Sequence, residues 1–383
     1  MIQEKLSRII PEPLRPLARV MYNGLISTRR SINDFRIGRI QTKLLRHNFS
    51  HETENLIIFL TPGQDIVNGM ILAIYHHYLG TKNLESIHNA EVLMCTLPKD
   101  PLLLKYTKFN FRDYVFGFSQ VLSYFENLQN LIIHVTIGNL PIFVENLSKE
   151  DILRLQRIQN VHINILIQHI GTLQSNIRHI EHLKKIELGK LTATTAHEAY
   201  TTLDLRKKLG FPLHKLSTYV SPEFYERKEY DKKRDLLTVS PDYHSKKMEI
   251  LNTIKKRFPQ LKIRIIKNIS YEEYKKLISD AKWAITFGEG LDGYFVETIF
   301  SGGISFATHN PDFFTEDFKA LRTVYGSYEE MAERICEDIE TLDNETSYTE
   351  YQNEQFKLAS KYYNYEKYLK NLELFYKGVY TYP

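Results

Sequence analysis

Trp283-Ala-Ile-Thr-Phe-Gly-Glu-Gly-Leu-Asp-Gly-Tyr-Phe-Val-Glu-Thr-Ile-Phe-Ser-Gly-Gly-Ile-Ser-Phe-Ala-Thr308 alternates apolar runs with glycine punctuation. Trp283 to Phe287 has the length and β-leaning composition of a buried strand. Gly288, Gly290 and Gly293 then turn the chain, and glycines there allow positive φ and close approach of a ligand to bare backbone amides. A helix beginning near Tyr294 would aim its first N–H groups into the same space, where they favour an anion. Ser301-Gly-Gly303 stops that helix, and Ile304 to Ala307 is the next strand. A carboxylate sits at each end: Glu289 in the turn and Glu297 on the helical segment. Strand, glycine turn, helix, glycine stop, strand is half of a doubly wound nucleotide-binding α/β domain with its ligand edge exposed.

The same alternation extends upstream. Leu236–Ser240 is a strand, Pro241-Asp-Tyr-His-Ser-Lys-Lys247 a loop, and a helix follows to Phe258. Strand Lys262–Ile266 and helix Tyr271–Asp280 complete the approach to Trp283. An earlier series begins with strand Asn55–Leu60, the loop Thr61-Pro-Gly-Gln-Asp-Ile-Val-Asn-Gly69 and helix Met70–Leu79. Strands at 92–97, 131–137, 163–167, 191–194 and 216–220 come after it, while Tyr106–Phe125 has no assignable structure. Two such series imply two parallel sheets, each covered on both faces. The divisions expected are a basic arm (1–50), a first domain (51–222), a charged linker (223–234), a second domain (235–345) and C-terminal helices (346–383). Gly69 stands where backbone amides can meet a phosphate, although the loop is neither G-x-G-x-x-G nor G-x-x-x-x-G-K-[ST]. His169 directly follows a strand, at the edge where ligands bind in such sheets, and is either structural or functional there. His197 is a lesser candidate for the same reason.

Composition sets the outer limits. The chain has 383 residues, 43% apolar and 25% charged, with a net charge of +4. Its size suits two globular domains, and the charge is too mild to point to nucleic acid. Two distant cysteines form neither a disulfide framework nor a zinc site and suit a reducing cytoplasm. No stretch reaches the ~18 apolar residues of a membrane span, and no signal-peptide core is present. Residues 1–50 carry ten Lys and Arg against three acids, interleaved with apolar residues. That mixture suits either an amphipathic helix on an anionic membrane surface or a solvated arm or oligomer contact. No DxD triplet or His/Cys cluster is present, so neither a metal nor a cofactor is expected.

Glu289-x7-Glu297, followed by Gly302, resembles the E-x7-E signature of retaining GT-B glycosyltransferases of the family 4 type, E-G-F-G-x-x-x-x-E-A-x-x-x-G-x-P. Glu289, Gly290, Glu297 and Gly302 match. Leu291-Asp292, Thr298 and Ile304 depart from the pattern. Asn68-Gly69 takes the place of the family's Gly-Gly loop. Lys246 aligns with the lysine of its G-R-L-x-x-x-K-G pattern, but Pro241 replaces the arginine and Lys247 the final glycine. The resemblance implies a GT-B fold: two Rossmann-like domains facing a cleft, with a last helix crossing back. It implies transfer of a sugar, with retention, from a nucleotide donor. Glu297 would hold the ribose, while Glu289 and His169 meet the donor sugar. Backbone around Gly290, Leu291, Asp292 and Gly293 would serve the sugar or phosphates, with the Asp292 side chain facing a sugar hydroxyl or solvent. Lys246 is either a diphosphate ligand or a solvated helix-start lysine. The basic arm suggests a lipid-linked acceptor of envelope polysaccharide or lipopolysaccharide synthesis, with the protein cytoplasmic and peripheral on the membrane. A non-catalytic GT-B-like partner subunit and a nucleotide-sugar epimerase are the alternatives.

Overall fold

The computed structural model describes the backbone of residues 15–383 and the side chains of residues 30–383. The first fourteen residues of the basic arm, and the side chains of Arg15, Arg19 and Arg29, lie outside the described residues. Seven strands form the first sheet: β1 (Asn55–Thr61), β2 (Glu91–Thr96), β3 (Val115–Gly117), β4 (Asn130–Thr136), β5 (Asn160–Ile167), β6 (Lys190–Thr195) and β7 (Leu213–Lys215). They pair in the order β3-β2-β1-β4-β5-β6-β7, and every pair is parallel. The second sheet contains β8 (Arg234–Val239), β9 (Lys262–Ile265), β10 (Ala281–Ile285), β11 (Ile304–Thr308) and β12 (Val324–Tyr325). Its order is β12-β11-β10-β8-β9, again all parallel. Helices cover both faces, which is why Leu56 to Leu60 are buried without alternation.

Strand order reverses between β1 and β4 in one sheet and between β8 and β10 in the other. Such switch points open a crevice at the carboxyl ends of the strands. Loops from both crevices line one cleft between the domains.

Several expectations shift. The strand expected at 216–220 is instead Leu213–Lys215, because Ser217 takes φ +72, which an extended strand cannot continue through. Strands β3 and β12 have three and two residues, too short to show a pattern in sequence. The C-terminal helices, expected from 346, begin at Glu345, since Asn344 accepts the Ser347 amide and caps helix Glu345–Tyr362. Asn364 likewise caps a separate helix, Tyr365–Tyr376, so the C-terminal helical stretch is two helices.

Those two helices join the domains. The first packs on the second sheet, where Gln355 accepts the Ser305 amide at 3.0 Å and returns its own N–H to the Ser305 carbonyl at 2.8 Å. The second crosses back to the first domain. There the Tyr376 hydroxyl meets Thr81 Oγ1 at 2.8 Å and His134 Nε2 at 3.0 Å, and Tyr382 bridges Leu213. At the other end of the chain, helix Arg15–Asn48 covers the β3 edge. Buried Gln41 donates to the Val115 carbonyl at 2.9 Å and the Leu103 carbonyl at 3.1 Å, satisfying acceptors a bare edge would leave open. No helix among the described residues is long and apolar enough to cross a membrane.

Candidate active site

The turn after β10 is shaped by its own side chains. Asp292 caps helix Gly293–Phe300, with Oδ1 accepting the Phe295 amide at 3.0 Å and Oδ2 accepting the Thr286 hydroxyl at 2.7 Å. Gly290 takes φ +86, and a Cβ there would lie 2.6 Å from Phe314 and 2.7 Å from the Thr308 carbonyl. The turn is therefore pinned on both sides of Glu289. One expectation is corrected by this packing: Gly290 is buried beneath Phe314 and is not on the cleft wall. The Asp292 carboxylate caps the helix while still lining the cleft.

On the opposite domain, His169 caps helix Ile170–Ile186. Its Nδ1 accepts the Thr172 amide at 3.3 Å, which leaves the proton of the neutral ring on Nε2. Nε2 faces Glu289 Oε1 across the cleft at 3.7 Å. Phe313 fixes that ring from the side, with centroids 5.0 Å apart, and also touches His197 at 5.3 Å. Burial, with His169 adding to it, lowers His197 to about 4, so that ring is neutral.

The cleft is a cavity of about 790 Å³. Gly69, His169, Glu289, Leu291, Gly293 and Glu297 all line it. Helices starting at Gly69, Ile170 and Gly293 begin on its wall, and helix N-termini favour negative charge. Burial raises Glu297 to about 8, with the Tyr274 and Tyr225 hydroxyls partly countering it. Its Oε2 is a buried acceptor without a hydrogen-bond partner among the described residues. Burial also raises Glu289 to about 7, with Asp292 and Asp242 adding to the shift. Asp292 rises to about 6 through burial, against the hydrogen bonds from Thr286 and Phe295.

Lys246 does not join this group. It precedes helix Lys247–Arg257, is half-buried, and pairs with Glu249 at 3.0 Å on the outward side of the helix. Lys247 turns inward instead, donating to the carbonyls of Ser240 and Asp242 at 2.6 and 2.9 Å. Among the described residues lining the cavity, Lys267 is the one Lys or Arg, against Asp242, Glu289, Asp292 and Glu297. Sequence reasoning missed Asp242, Lys267 and Tyr363. The first two follow strands β8 and β9 and were findable from that position. Tyr363 arrives from the C-terminal helices, and nothing local marked it.

No protein-family model matches this chain, and no curated protein sequence does. Solved structures do. Sucrose-phosphate synthase from Thermosynechococcus elongatus superposes with a TM-score of 0.55 at 9% identity, covering 85% of this chain and 99% of the other. Anabaena HepE in complex with UDP and glucose gives a TM-score of 0.57 at 7% identity, covering 85% and 100%. HepE in complex with UDP-glucose gives 0.51 at 10% identity over 84% and 99%. The chain has the GT-B fold, two parallel-sheet domains around a cleft with a C-terminal helix returning to the first.

Proposed function

We propose that this GT-B protein is a glycosyltransferase that moves a sugar from a nucleotide donor to an acceptor, with retention at the anomeric carbon. The observation that supports this best is the meeting of His169 and Glu289 from opposite domains, in one cavity with a buried Glu297 whose Oε2 has no hydrogen-bond partner among the described residues. A buried carboxyl oxygen with an open acceptor site suits a ribose hydroxyl, so Glu297 is assigned to the ribose. Glu289 is assigned to the transferred sugar, where negative charge stabilises the positive charge that develops as the bond to the leaving phosphate breaks. The Nε2 proton of His169 is available to a sugar hydroxyl. The converging helix N-termini, with Lys267, are assigned to the departing diphosphate in place of a lysine-arginine clamp.

Glu297→Ala should weaken nucleoside diphosphate binding by about ten- to hundred-fold, the worth of about 1.5–3 kcal/mol of charged hydrogen bonds. Glu289→Ala should lower turnover and leave that affinity nearly intact, because its contact strengthens only toward the transition state. Titration calorimetry beside a sugar-transfer assay measures both. Equal losses of bare-nucleotide affinity would reject this division of roles.

One observation favours a second reading, a non-catalytic partner subunit: Lys246 is engaged with Glu249, and Asp242 faces the cavity where a cation would serve a diphosphate. Absence of transfer or donor hydrolysis by the purified protein, with nucleotide binding retained, would decide for it.

The acceptor is assigned to a lipid-linked glycan intermediate at an anionic membrane surface, as in envelope polysaccharide synthesis. Support comes from helix Arg15–Asn48, whose outward face carries exposed Ile32, Phe35 and Ile40 beside Arg36, Arg39, Lys43 and Arg46. Their spacing of three and four residues puts them on one stripe. None of the four cations has a carboxylate partner among the described residues, and apolar side chains among unpaired cations suit anionic lipid.

A further inference from the structure

Among the described residues that line the cleft, Tyr363 is the one contributed by the C-terminal helices. Its position is set from both sides. Its amide donates to the Ala359 carbonyl at 2.9 Å, which ends helix Glu345–Tyr362. Asn364 beside it accepts the Lys367 amide at 2.9 Å and starts helix Tyr365–Tyr376. The first of these helices is fixed to the second sheet and the other to the first domain, so a residue at their junction is held by both. The ring packs in one core with Tyr200, Leu291 and Phe313, and with His197 it borders a small side cavity. Phe313 is the ring that also touches His169.

The hydroxyl of this fixed ring is uncommitted. Tyr200 donates to the Gln168 carbonyl at 3.0 Å, Tyr362 to Asp317 at 2.7 Å and Tyr348 to the Lys282 carbonyl at 2.9 Å. Tyr363 is 6% exposed, yet its hydroxyl has no hydrogen-bond partner among the described residues. A buried polar group left unpaired is costly, and native proteins keep few of them. Burial, with Asp292 and Glu289 adding to it, raises the phenol above its ordinary 10, so it keeps its proton and can both donate and accept.

The same carboxylates locate it in the cleft. Glu297 acts on Tyr225, Tyr271 and Tyr274, whereas Asp292 and Glu289 act on Tyr363. The Asp292 oxygens are already taken by Thr286 and the Phe295 amide. A phenol beside Glu289 therefore stands with His169 Nε2 around the place assigned to the transferred sugar. We propose that Tyr363 determines specificity for that sugar: its hydroxyl pairs with one sugar hydroxyl, and the site rejects donors that lack it. Discrimination of this kind is strong because a donor without the hydroxyl strands the protein group that should pair with it. The proposal rests on the nucleotide-donor reading above.

The test compares the full chain with Tyr363→Phe, which removes only the hydroxyl, and circular dichroism and melting curves establish that the variant folds. Titration calorimetry with UDP, GDP, ADP and CDP selects the nucleotide. Donor consumption is then followed for its glucose, galactose and mannose conjugates, and for the monodeoxy analogues of the one consumed fastest. The wild type should discriminate against the analogue that lacks the paired hydroxyl. Tyr363→Phe should lower kcat/KM for the parent donor by about 3- to 10-fold, with no change for that analogue or for bare-nucleotide affinity. Equal losses on the parent and every analogue would assign Tyr363 to structure or to orienting Glu289 and overturn the proposal, as would no loss on any donor. A wild type that binds a nucleotide but consumes none of these donors would overturn it as well and favour the partner-subunit reading. One that binds no nucleotide at all would overturn the donor reading, and this inference with it.

Discussion

Glu297 is the residue whose chemistry is most altered by its surroundings. Its carboxyl is raised to about 8 by burial, from an ordinary value of 4.5. Below pH 4.5 it is protonated in folded and unfolded chains alike. Between 4.5 and 8 only the unfolded chain releases the proton, so stability falls as pH rises through that window. Glu297→Gln never ionises. The variant should therefore gain on the wild type as pH rises from 5 to 8.5 in the absence of nucleotide, with each pKa unit worth about 1.4 kcal/mol. Melting temperatures across that range check this, and a pH-independent gap between the two proteins would mean that the carboxylate ionises freely. The same burial has a functional side, since hydroxyl donors from a ligand would supply what Oε2 lacks.

Among the elements, helix Arg15–Asn48 serves two neighbours. Its inward face is committed to the first domain through Gln41, and Gln120 donates to the Gly38 carbonyl at 2.8 Å. Its outward stripe is uncommitted among the described residues. Replacing Arg36, Arg39, Lys43 and Arg46 with Gln leaves the inward contacts intact. That variant should lose salt-sensitive binding to vesicles containing phosphatidylserine while keeping the melting temperature of the wild type, because exposed charges contribute little to stability. Flotation with anionic and neutral vesicles at low and high salt measures it. Equal binding by variant and wild type, or to neutral vesicles, would remove the helix face as an anionic-lipid contact.

Across the whole molecule, a polar ladder runs through the first sheet. Asn164 donates to His134 Nδ1 at 3.0 Å and to Thr194 at 3.1 Å, and accepts from Thr192 at 2.9 Å, which meets His162 at 2.7 Å. The crossing helix closes the ladder through Tyr376. Burial holds His162 at about 4, His77 at about 3 and His134 well below its ordinary 6.5. Above pH 6.5 these rings are neutral whether the chain is folded or not. As pH falls from 6.5 toward 4 the unfolded chain takes up protons that the fold refuses, so stability is lost in that window. Urea denaturation at steps between pH 7.5 and 4.5 should show that decline, with the C-terminal helices and the first domain unfolding together. A flat profile, or separate release of helix Tyr365–Tyr376, would contradict the coupling assigned to the ladder.

Period and punctuation are local properties of the chain, and they were enough for the parallel α/β series, the glycine turn after β10 and the helix that follows it. They also placed Glu289, Gly69 and His169 in the loops that follow strands and Glu297 on the helix after the glycine turn, and packing brought all four to one cavity. What the local pattern cannot carry is direction and partnership. Lys246 and Lys247 are neighbours in sequence, but successive residues lie about 100° apart around a helix. One therefore faces Glu249 and solvent, and the other the carbonyls beneath it. Asp292 differs from a free ligand only because Thr286 and the Phe295 amide claim its oxygens. The 3.7 Å approach of His169 to Glu289 and the entry of Tyr363 into the cavity depend on how two domains and a returning helix close around a cleft. Those distances between residues far apart in the chain belong to the tertiary structure alone.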